Sequence, residues 1–161
     1  MLELKVKLLT DTAKPPTKAH DSDAGWDLYS DEDVFIRVDE PKIVKTNIAI
    51  GIPKGYCAVI KDRSGFGSKG IEVLCGVIDE SYIGPVGIVF YNLSNEENYI
   101  NDGYYRVDDG RNSLSKSGKY IKKGDKVAQM LILPVPKVKV VVVDELDDTE
   151  RGEKGFGSSG Q

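Results

Sequence analysis

Short runs of β-branched residues, each closed by residues that favour turns, dominate the chain. It has 17 Val and 13 Ile but only 11 Leu and 6 Ala, a balance that favours strands over helices. An alternating segment at 4–8 predicts a first strand. Further apolar runs lie at 34–38, 43–52, 56–61, 71–78, 86–91, 127–133 and 138–143. Many short strands at this spacing predict an all-β sandwich or barrel.

Residues 64–69 are the one segment in which we expect a helix, with Ser64 as its N-terminal cap. Two glycines, Gly65 and Gly67, predict that this helix is short. The 161 residues suit one domain with a single core.

The charge balance excludes several kinds of function. The chain carries 22 Lys and Arg against 26 Asp and Glu, and its net charge of −4 equals that of the last 18 residues alone. A neutral body predicts no general nucleic-acid binding, although one focused anion site remains compatible with it. A single histidine, His20, argues against a Ser-His-Asp triad or a multi-His metal site.

Hydropathy and cysteine usage indicate the compartment. No apolar run approaches the roughly 18 residues of a membrane span, so we expect no membrane association. Cys57 and Cys75 lie in apolar stretches whose spacing matches no zinc site. A reduced thiol pair and a cytoplasmic location are the expectation.

Two segments differ from the rest. Residues 95–120 are polar, hold nine charged residues and four of the eight tyrosines, and read as an insertion between strands. The tail at 144–161 is acidic and then glycine-rich, which is typical of disorder when composition alone is considered.

A G-x-G-x-x-G pattern occurs twice, at 65–70 and 155–160. Neither copy has the strand before it and the long helix after it that a dinucleotide fingerprint requires. Both copies follow an arginine, Arg63 or Arg151, and are rich in serine. Backbone N–H groups, hydroxyls and a guanidinium together favour a polyphosphate ligand.

Two aspartates stand in unusual settings. Asp79 follows an apolar run and precedes a Gly-Pro turn, where an acid is either a solvated turn residue or a catalytic one. Asp27 is flanked by Trp26 and Leu28. It is either a hydrogen-bonded turn carboxylate or a group that orders water around a hard cation.

Five segments, in order, resemble the five sequence blocks of the trimeric dUTPases (dUTP diphosphatases). They are Asp-Ala-Gly-Trp-Asp-Leu-Tyr-Ser at 23–30, Asp-Arg-Ser-Gly at 62–65, Gly-Val-Ile-Asp-Glu-Ser-Tyr at 76–82, Gly-Asp-Lys-Val-Ala-Gln-Met at 124–130 and Arg-Gly-Glu-Lys-Gly-Phe-Gly-Ser-Ser at 151–159. The resemblance implies a jelly-roll, β-barrel-like homotrimer whose active sites are shared between chains. It further implies Mg²⁺-dependent hydrolysis of dUTP to dUMP and pyrophosphate, which limits uracil in DNA and supplies dUMP for thymidylate synthesis.

The same resemblance implies a role for each matching residue. Asp79 corresponds to the water-activating carboxylate, and Asp27 to the acid that holds Mg²⁺ through water. Tyr82 corresponds to the aromatic under the deoxyribose. The backbone at Gly76 and Gly87 corresponds to the part that reads uracil. The remaining substrate contacts implied are Arg63, Ser64, Gly65, Gln129, Arg151, Phe156, Gly157, Ser158 and Ser159.

The resemblance also implies a division of the chain. Residues 1–143 would form one barrel domain that contains the insert 95–120, and residues 144–161 a flexible arm that closes an active site. Bacteriophage-encoded members resemble this chain in having such an insert, which is associated with protein partners, and their location would be the host cytoplasm. For this insert, a solvated hairpin lying on the barrel and a regulatory protein contact both remain open.

Two other functions remain open at this point. A dCTP deaminase of the same superfamily would place Glu as the catalytic acid/base, whereas this chain has Asp79 in that place. A nucleotide-gated binding module would use 95–120 as its contact and would not depend on hydrolysis.

Overall fold

A computed structural model of the chain describes residues 2–94, 104–106 and 117–153. Within them the chain forms eleven strands and a single four-residue helix, which confirms the all-β prediction. The elements are β1 (Lys5–Leu8), β2 (Trp26–Tyr29), β3 (Val34–Arg37), β4 (Pro41–Gly51), β5 (Tyr56–Asp62), α1 (Ser64–Gly67), β6 (Ile71–Leu74), β7 (Val77–Ile78), β8 (Pro85–Asn92), β9 (Tyr104–Arg106), β10 (Ser117–Ile121) and β11 (Lys126–Pro134).

Three antiparallel sheets organise these strands. Two have four strands, in the orders β1-β4-β8-β6 and β2-β11-β5-β7, and the third has the order β3-β10-β9. Side chains from all three sheets meet in one hydrophobic cluster. This layered arrangement of sheets over a shared core is the one that the strand spacing predicted.

Alternation along the strands produces the core. On β8, Val86, Ile88, Phe90 and Asn92 are buried, while the residues between them are more exposed. The ring of Phe66 lies 5.6 Å from that of Phe90, which fixes α1 against the core. β-Branched side chains pack well on a pleated surface, so the Val and Ile surplus is consistent with this architecture.

The helix begins one residue earlier than the sequence indicated. Arg63, not Ser64, is its N-terminal cap, and no side chain caps it. The N–H groups of Phe66 and Gly67 both donate to the Arg63 carbonyl, at 2.8 and 2.9 Å. Ser64 is therefore the first helical residue, which leaves its hydroxyl available for other contacts.

Two apolar runs differ from the predicted strands. The run at 71–78 is split at Cys75, whose φ of 53° turns the chain, so that β6 joins β8 and β7 joins β5. The prediction of a strand over 138–143 is wrong, because the last described strand ends at Pro134. Val138, Val140 and Val142 are 84%, 87% and 94% exposed.

Across the described ranges, the chain has no helix that is long and apolar enough to cross a membrane.

Asp31 joins four parts of the fold through a carboxylate that is only 2% exposed. Thr10 Oγ1 and Asn47 Nδ2 donate to its Oδ2 at 2.6 and 2.7 Å. Lys123 Nζ lies 3.3 Å from Oδ1 as an ion pair, without the alignment of a hydrogen bond. The N-terminal loop, the β2–β3 turn, the irregular part of β4 and the β10–β11 turn therefore meet at one charge.

Opposing effects act on the pKa of Asp31. Burial disfavours its charged form, but hydrogen bonds from Thr10, Asn47 and other donors outweigh burial and hold its pKa well below its usual range. A carboxyl whose pKa is lower in the folded than in the unfolded state stabilises the fold above its unfolded pKa. That contribution is lost as the pH falls towards the folded pKa.

We expect Asp31→Asn to lower the free energy of unfolding by about 2 kcal/mol at pH 7, because charged hydrogen bonds are lost. The difference from the natural chain should shrink as the pH falls below about 4, where the natural carboxyl of the unfolded chain is protonated. Urea unfolding at several pH values measures both effects. The exposed Asp11→Asn is the matched control, and a loss that does not vary with pH would contradict this account.

Candidate functional site

One cleft, which we call the Arg63 cleft, forms where the end of β5 meets β2 and β11. Its volume is about 660 Å³. Pairing of β11 with β2 and β5 sets Gln129 opposite Asp27 and Ala128 opposite Asp62. The lining residues include Asp23, Gly25, Asp27, Asp62, Arg63, Ser64 and Gln129.

Asp27 lies between two cations in this cleft. Its Oδ1 is 3.3 Å from Arg63 Nε, and its Oδ2 is 2.7 Å from Lys126 Nζ. Arg63 Nη1 also donates to the Lys126 carbonyl at 3.1 Å. The hydrogen bond to Asp27 raises the pKa of Lys126. Two positive charges around one carboxylate leave a net positive group, which favours an anionic ligand.

Gln129 is oriented by the backbone around it. Its Nε2 donates to the Asp62 carbonyl at 3.1 Å, which fixes the side-chain amide at the edge of the cleft. A Cβ at Gly25 would lie 2.7 Å from Gln129 Oε1, so only glycine allows this approach. Gly65 lies in the first turn of α1, with open space where a side chain would stand.

A second cleft, which we call the hairpin cleft, forms between β7 and β8 and has a volume of about 240 Å³. Its lining residues are Val77, Ile78, Asp79, Tyr82, Pro85, Val86 and Gly87. The Tyr82 N–H donates to the Asp79 carbonyl at 3.0 Å, which closes a tight turn. The Tyr82 hydroxyl donates to the Pro85 carbonyl at 2.9 Å, so the ring is fixed across the mouth of the hairpin.

The two predicted hairpin glycines differ in their surroundings. Gly87 lines the hairpin cleft, and a Cβ there would meet only a methyl group of Ile43, at 2.9 Å. Gly76 does not line that cleft. Its carbonyl accepts from the Ile60 N–H at 2.7 Å, and a Cβ would collide with the Ile60 carbonyl. Close packing against β5 therefore requires glycine at 76 whatever the ligand.

The two clefts lie at opposite ends of β5. β7 pairs with β5 at Ala58↔Ile78, so Asp79 follows beside Cys57, whereas Arg63 follows the other end of β5. Six residue steps along the chain lead from Cys57 to Arg63, which corresponds to about 20 Å. The clefts share no lining residue. Within a single copy of the chain, the predicted site residues therefore fall into two separate groups.

The described residues contain no group of three or more His, Cys, Asp and Glu side chains that could hold a metal ion. Asp27 offers hard carboxylate oxygens at the rim of the Arg63 cleft, with 17% of its side chain exposed. This single donor fits a Mg²⁺ ion that keeps most of its waters and is held mainly by phosphate oxygens.

The C-terminal residues of the predicted site are largely outside the described part of the chain. Phe156, Gly157, Ser158 and Ser159 fall there, as does most of the insert 95–120. Arg151 is described and exposed, in a turn closed by the Gly152 N–H on the Thr149 carbonyl at 3.0 Å. It lines neither cleft.

Sequence reasoning missed two residues of the Arg63 cleft, Lys126 and Gly25. Lys126 lies next to Asp125 in the fourth block, and its charge could have been matched to Asp27 only with the strand pairing known. Gly25 precedes Trp26 in the first block, where a glycine before an aromatic strand was a visible but unspecific signal.

A small β-sandwich in which Arg63 and Lys126 flank Asp27 at one cleft, with a second cleft beside Gly87, has the features of a nucleotide-binding protein. The sequence pattern of the dUTPase family matches residues 11–105 and 113–160. A deoxyuridine 5'-triphosphate nucleotidohydrolase of Clostridium novyi is 40% identical over 162 residues, covering 99% of each chain. The chain therefore belongs to the dUTPase family.

Solved structures agree with this assignment. The dUTPase of Staphylococcus bacteriophage 80alpha with dUPNHPP is similar with a TM-score of 0.84 and 35% identity, and all of each chain is covered. A mutant dUTPase of the S. aureus phage phi11, described with a structural Mg(II) ion, has a TM-score of 0.72 and 33% identity. That match covers 89% of this chain and 98% of the phage protein.

We expect Gly87→Ala to fold, because the exposed Ile43 side chain can move away from the added methyl group. It should weaken dUMP binding about 10-fold or more, because that methyl group stands on backbone that lines the hairpin cleft. Calorimetric titration with dUMP and a thermal melt measure the two effects. Gly51→Ala is the matched control, since a Cβ there makes only an ordinary contact with Lys5 at 3.4 Å. Gly76→Ala should instead lower the melting temperature. Unchanged dUMP affinity of Gly87→Ala would contradict the assignment of this cleft.

Proposed function

We propose that the chain hydrolyses dUTP to dUMP and pyrophosphate, and so limits uracil in DNA and supplies dUMP for thymidylate synthesis. The observation that carries the proposal is the convergence of Asp27, Arg63 and Gln129, from three different strands or their ends, on one cleft. Membership of the dUTPase family identifies the nucleotide that this cleft would bind.

The Arg63 cleft would bind the phosphates. Arg63 forms an ion pair with Asp27. An incoming phosphate could replace Asp27 as the partner, because one guanidinium can bind two phosphate oxygens at once. The Ser64 hydroxyl, the backbone at Gly65 and the Gln129 amide would donate further hydrogen bonds. Because the Gln129 amide is already held by the Asp62 carbonyl, it is in place to stabilise charge that develops on the leaving pyrophosphate.

Asp79 would act as the general base. Its carboxylate is exposed at the mouth of the hairpin cleft, where it can accept a proton from a water molecule. The water oxygen attacks the α-phosphorus, the bond from that phosphorus to the bridging oxygen breaks, and pyrophosphate leaves. A positioned base of this kind contributes about 10²–10⁴-fold in rate.

Asp27 would hold Mg²⁺ through a water molecule. The ion supplies positive charge that neutralises the phosphate oxygens. Lys126 keeps the Asp27 carboxylate oriented into the cleft when Arg63 turns towards the substrate.

The hairpin cleft would bind deoxyuridine. The Tyr82 ring, fixed by its bond to the Pro85 carbonyl, would pack under the deoxyribose and leave no space for a 2′-hydroxyl. The open backbone at Gly87 would approach the uracil edge, with Gly76 completing the hairpin. Cytosine would leave buried donors and acceptors unpaired, a mismatch that discriminates strongly.

The working enzyme would be a homotrimer, because the separation of the clefts in one copy supports a site shared between copies. The exposed valines at 138, 140 and 142 support the same conclusion, since an apolar segment of this kind is normally covered by a partner. Arg151, Phe156, Gly157, Ser158 and Ser159 would belong to an arm that closes a site on another copy, with Phe156 stacked on the base.

We expect Asp79→Asn to retain nucleotide binding and lose about 10²–10⁴-fold in kcat, because the general base is removed. Arg63→Gln should also be nearly inactive, through lost phosphate contacts. When the two inactive variants are refolded together, about one quarter of the sites should contain both natural residues and regain activity, because a closed oligomer mixes its copies at random. Pyrophosphate release from dUTP is the measurement.

The outcomes are distinct. Near-normal turnover by Asp79→Asn would overturn its assignment as the base. No recovery on mixing would overturn the shared site, since residues that act within one chain cannot complement each other. A panel of dUTP, dTTP, dCTP and UTP measures specificity in the same assay, and ammonia release from dCTP would instead indicate a deaminase.

A second role is a regulatory protein contact through residues 95–120, in the cytoplasm of the host if the chain is encoded by a bacteriophage. Within the described residues, β9 lies at the edge of its sheet and pairs only with β10. An edge strand can pair with a partner's backbone. The dUTPase of bacteriophage 80alpha is described as controlling transfer of virulence genes by a G protein-like mechanism.

We expect deletion of residues 95–116 to abolish capture of a host protein by the immobilised trimer and to change dUTP hydrolysis less than about threefold, because the described lining residues of both clefts all lie outside this segment. Pull-down from the native host, with the Asp79→Asn variant as a control that keeps the insert, measures the contact. If the deleted chain captures the same protein, the insert is not the contact.

A further inference from the structure

The turn that carries Asp79 is held to the rest of the chain at few points. The strand before it, β7, makes only two pairings with β5, at Ala58↔Ile78 and Val59↔Val77. After Ile78 the described pairing ends, and Asp79 to Tyr82 form a turn closed by one internal hydrogen bond. A catalytic carboxylate on such a turn needs a further anchor to keep its orientation.

We propose that Glu80 is a positioning residue that anchors the Asp79 turn to the β4–β5 turn. Its Oε2 accepts a hydrogen bond from the Gly55 N–H at 2.6 Å, a short distance typical of a charged acceptor. The bond joins residues 25 positions apart in the sequence. The proposal rests on the proposed function, because it assumes that Asp79 is the base.

Gly55 is itself fixed on two sides. The Tyr56 N–H donates to the Pro53 carbonyl at 3.1 Å, so residues 53–56 form a tight turn, and the φ of 82° at Gly55 is one that glycine adopts without strain. The Gly55 carbonyl accepts from the Val135 N–H at 2.8 Å. The anchor for Glu80 is therefore a rigid turn held by the chain just after β11, where the segment towards the C-terminus begins.

Open space beside the Asp79 turn makes the bond from Gly55 to Glu80 important. A cleft of about 590 Å³ separates the Asp79 turn from the residues that follow β11. Its lining includes Gly55, Asp79, Glu80, Val135 and Lys137. Without the bond from Gly55 to Glu80, the described chain offers room for the turn to shift towards this cleft.

A displacement of Asp79 would affect the chemical step more than binding. Tyr82 lies on the same turn, but its ring is held separately by the hydroxyl bond to the Pro85 carbonyl, and Gly87 and the Arg63 cleft lie outside the turn. The proposed substrate contacts therefore depend little on the Asp79 carboxylate. The rate depends strongly on it, because a misplacement of about 1 Å in a reacting group can cost as much as 100-fold. Glu80 would therefore act on kcat through Asp79 without touching the substrate.

The test compares Glu80→Ala with Glu80→Gln. Glu80→Ala removes the acceptor, and we expect kcat for dUTP to fall about 10-fold while KM changes less than twofold. Glu80→Gln keeps an oxygen that can accept from Gly55, so it should recover kcat to within about threefold of the natural chain. The exposed Glu3→Ala serves as the matched control for loss of a charge, and thermal melts of every variant accompany the kinetics.

The outcomes separate this proposal from the proposed function. An unchanged kcat in Glu80→Ala, or equal losses in Glu80→Ala and Glu80→Gln, would overturn the positioning role while Asp79→Asn still reported on the base. A loss confined to KM would overturn it as well. If Glu80→Ala does not fold, Glu80→Asp takes its place, because it shortens the side chain by one methylene group. It should likewise lower kcat and leave KM nearly unchanged.

Discussion

The seven residues of β5 determine the arrangement of the site. This strand pairs with β11 along its whole length on one edge and with β7 at only two positions on the other. Arg63 therefore lies at one end of β5 and the Asp79 hairpin at the other. The length of the strand sets their separation of about 20 Å, which is a property of the fold. In the proposed enzyme one site would draw these two groups from different copies, so the proposed activity and the proposed assembly depend on each other.

Two aspartates illustrate how surroundings assign different tasks to the same side chain. Asp31 is almost fully buried, and its hydrogen bonds join distant loops, so its charge serves the stability of the fold. Asp27 lies at the rim of a cleft between Arg63 and Lys126, and an entering phosphate can compete for those cations. A buried, fully bonded carboxylate resists exchange of its partners, whereas a partly exposed one allows it.

The hairpin cleft depends on small contacts between backbone segments. Gly76 is required because its Cβ would meet the Ile60 carbonyl, and Gly55 is required at a turn where φ is positive. Glycine in such a hairpin thus serves packing as well as ligand access. In the proposed mechanism the bond from Gly55 to Glu80 extends this principle to catalysis, since the β4–β5 turn would orient Asp79 through Glu80.

The sequence by itself determined the fold class, because β-branched residues in short runs have few other ways to bury their side chains. It also identified Asp27, Arg63, Gln129, Asp79 and Tyr82 as candidates, through five ordered blocks. It did not determine that the run at 138–143 forms no strand in a single chain, that Arg63 caps the helix, or that Lys126 contacts Asp27. These features depend on which strands become neighbours, and pairing between distant segments is decided by packing of the whole chain. Only the tertiary structure separated the predicted site into two clefts, because the distance between them is measured along β5 and does not appear in the spacing of the motifs.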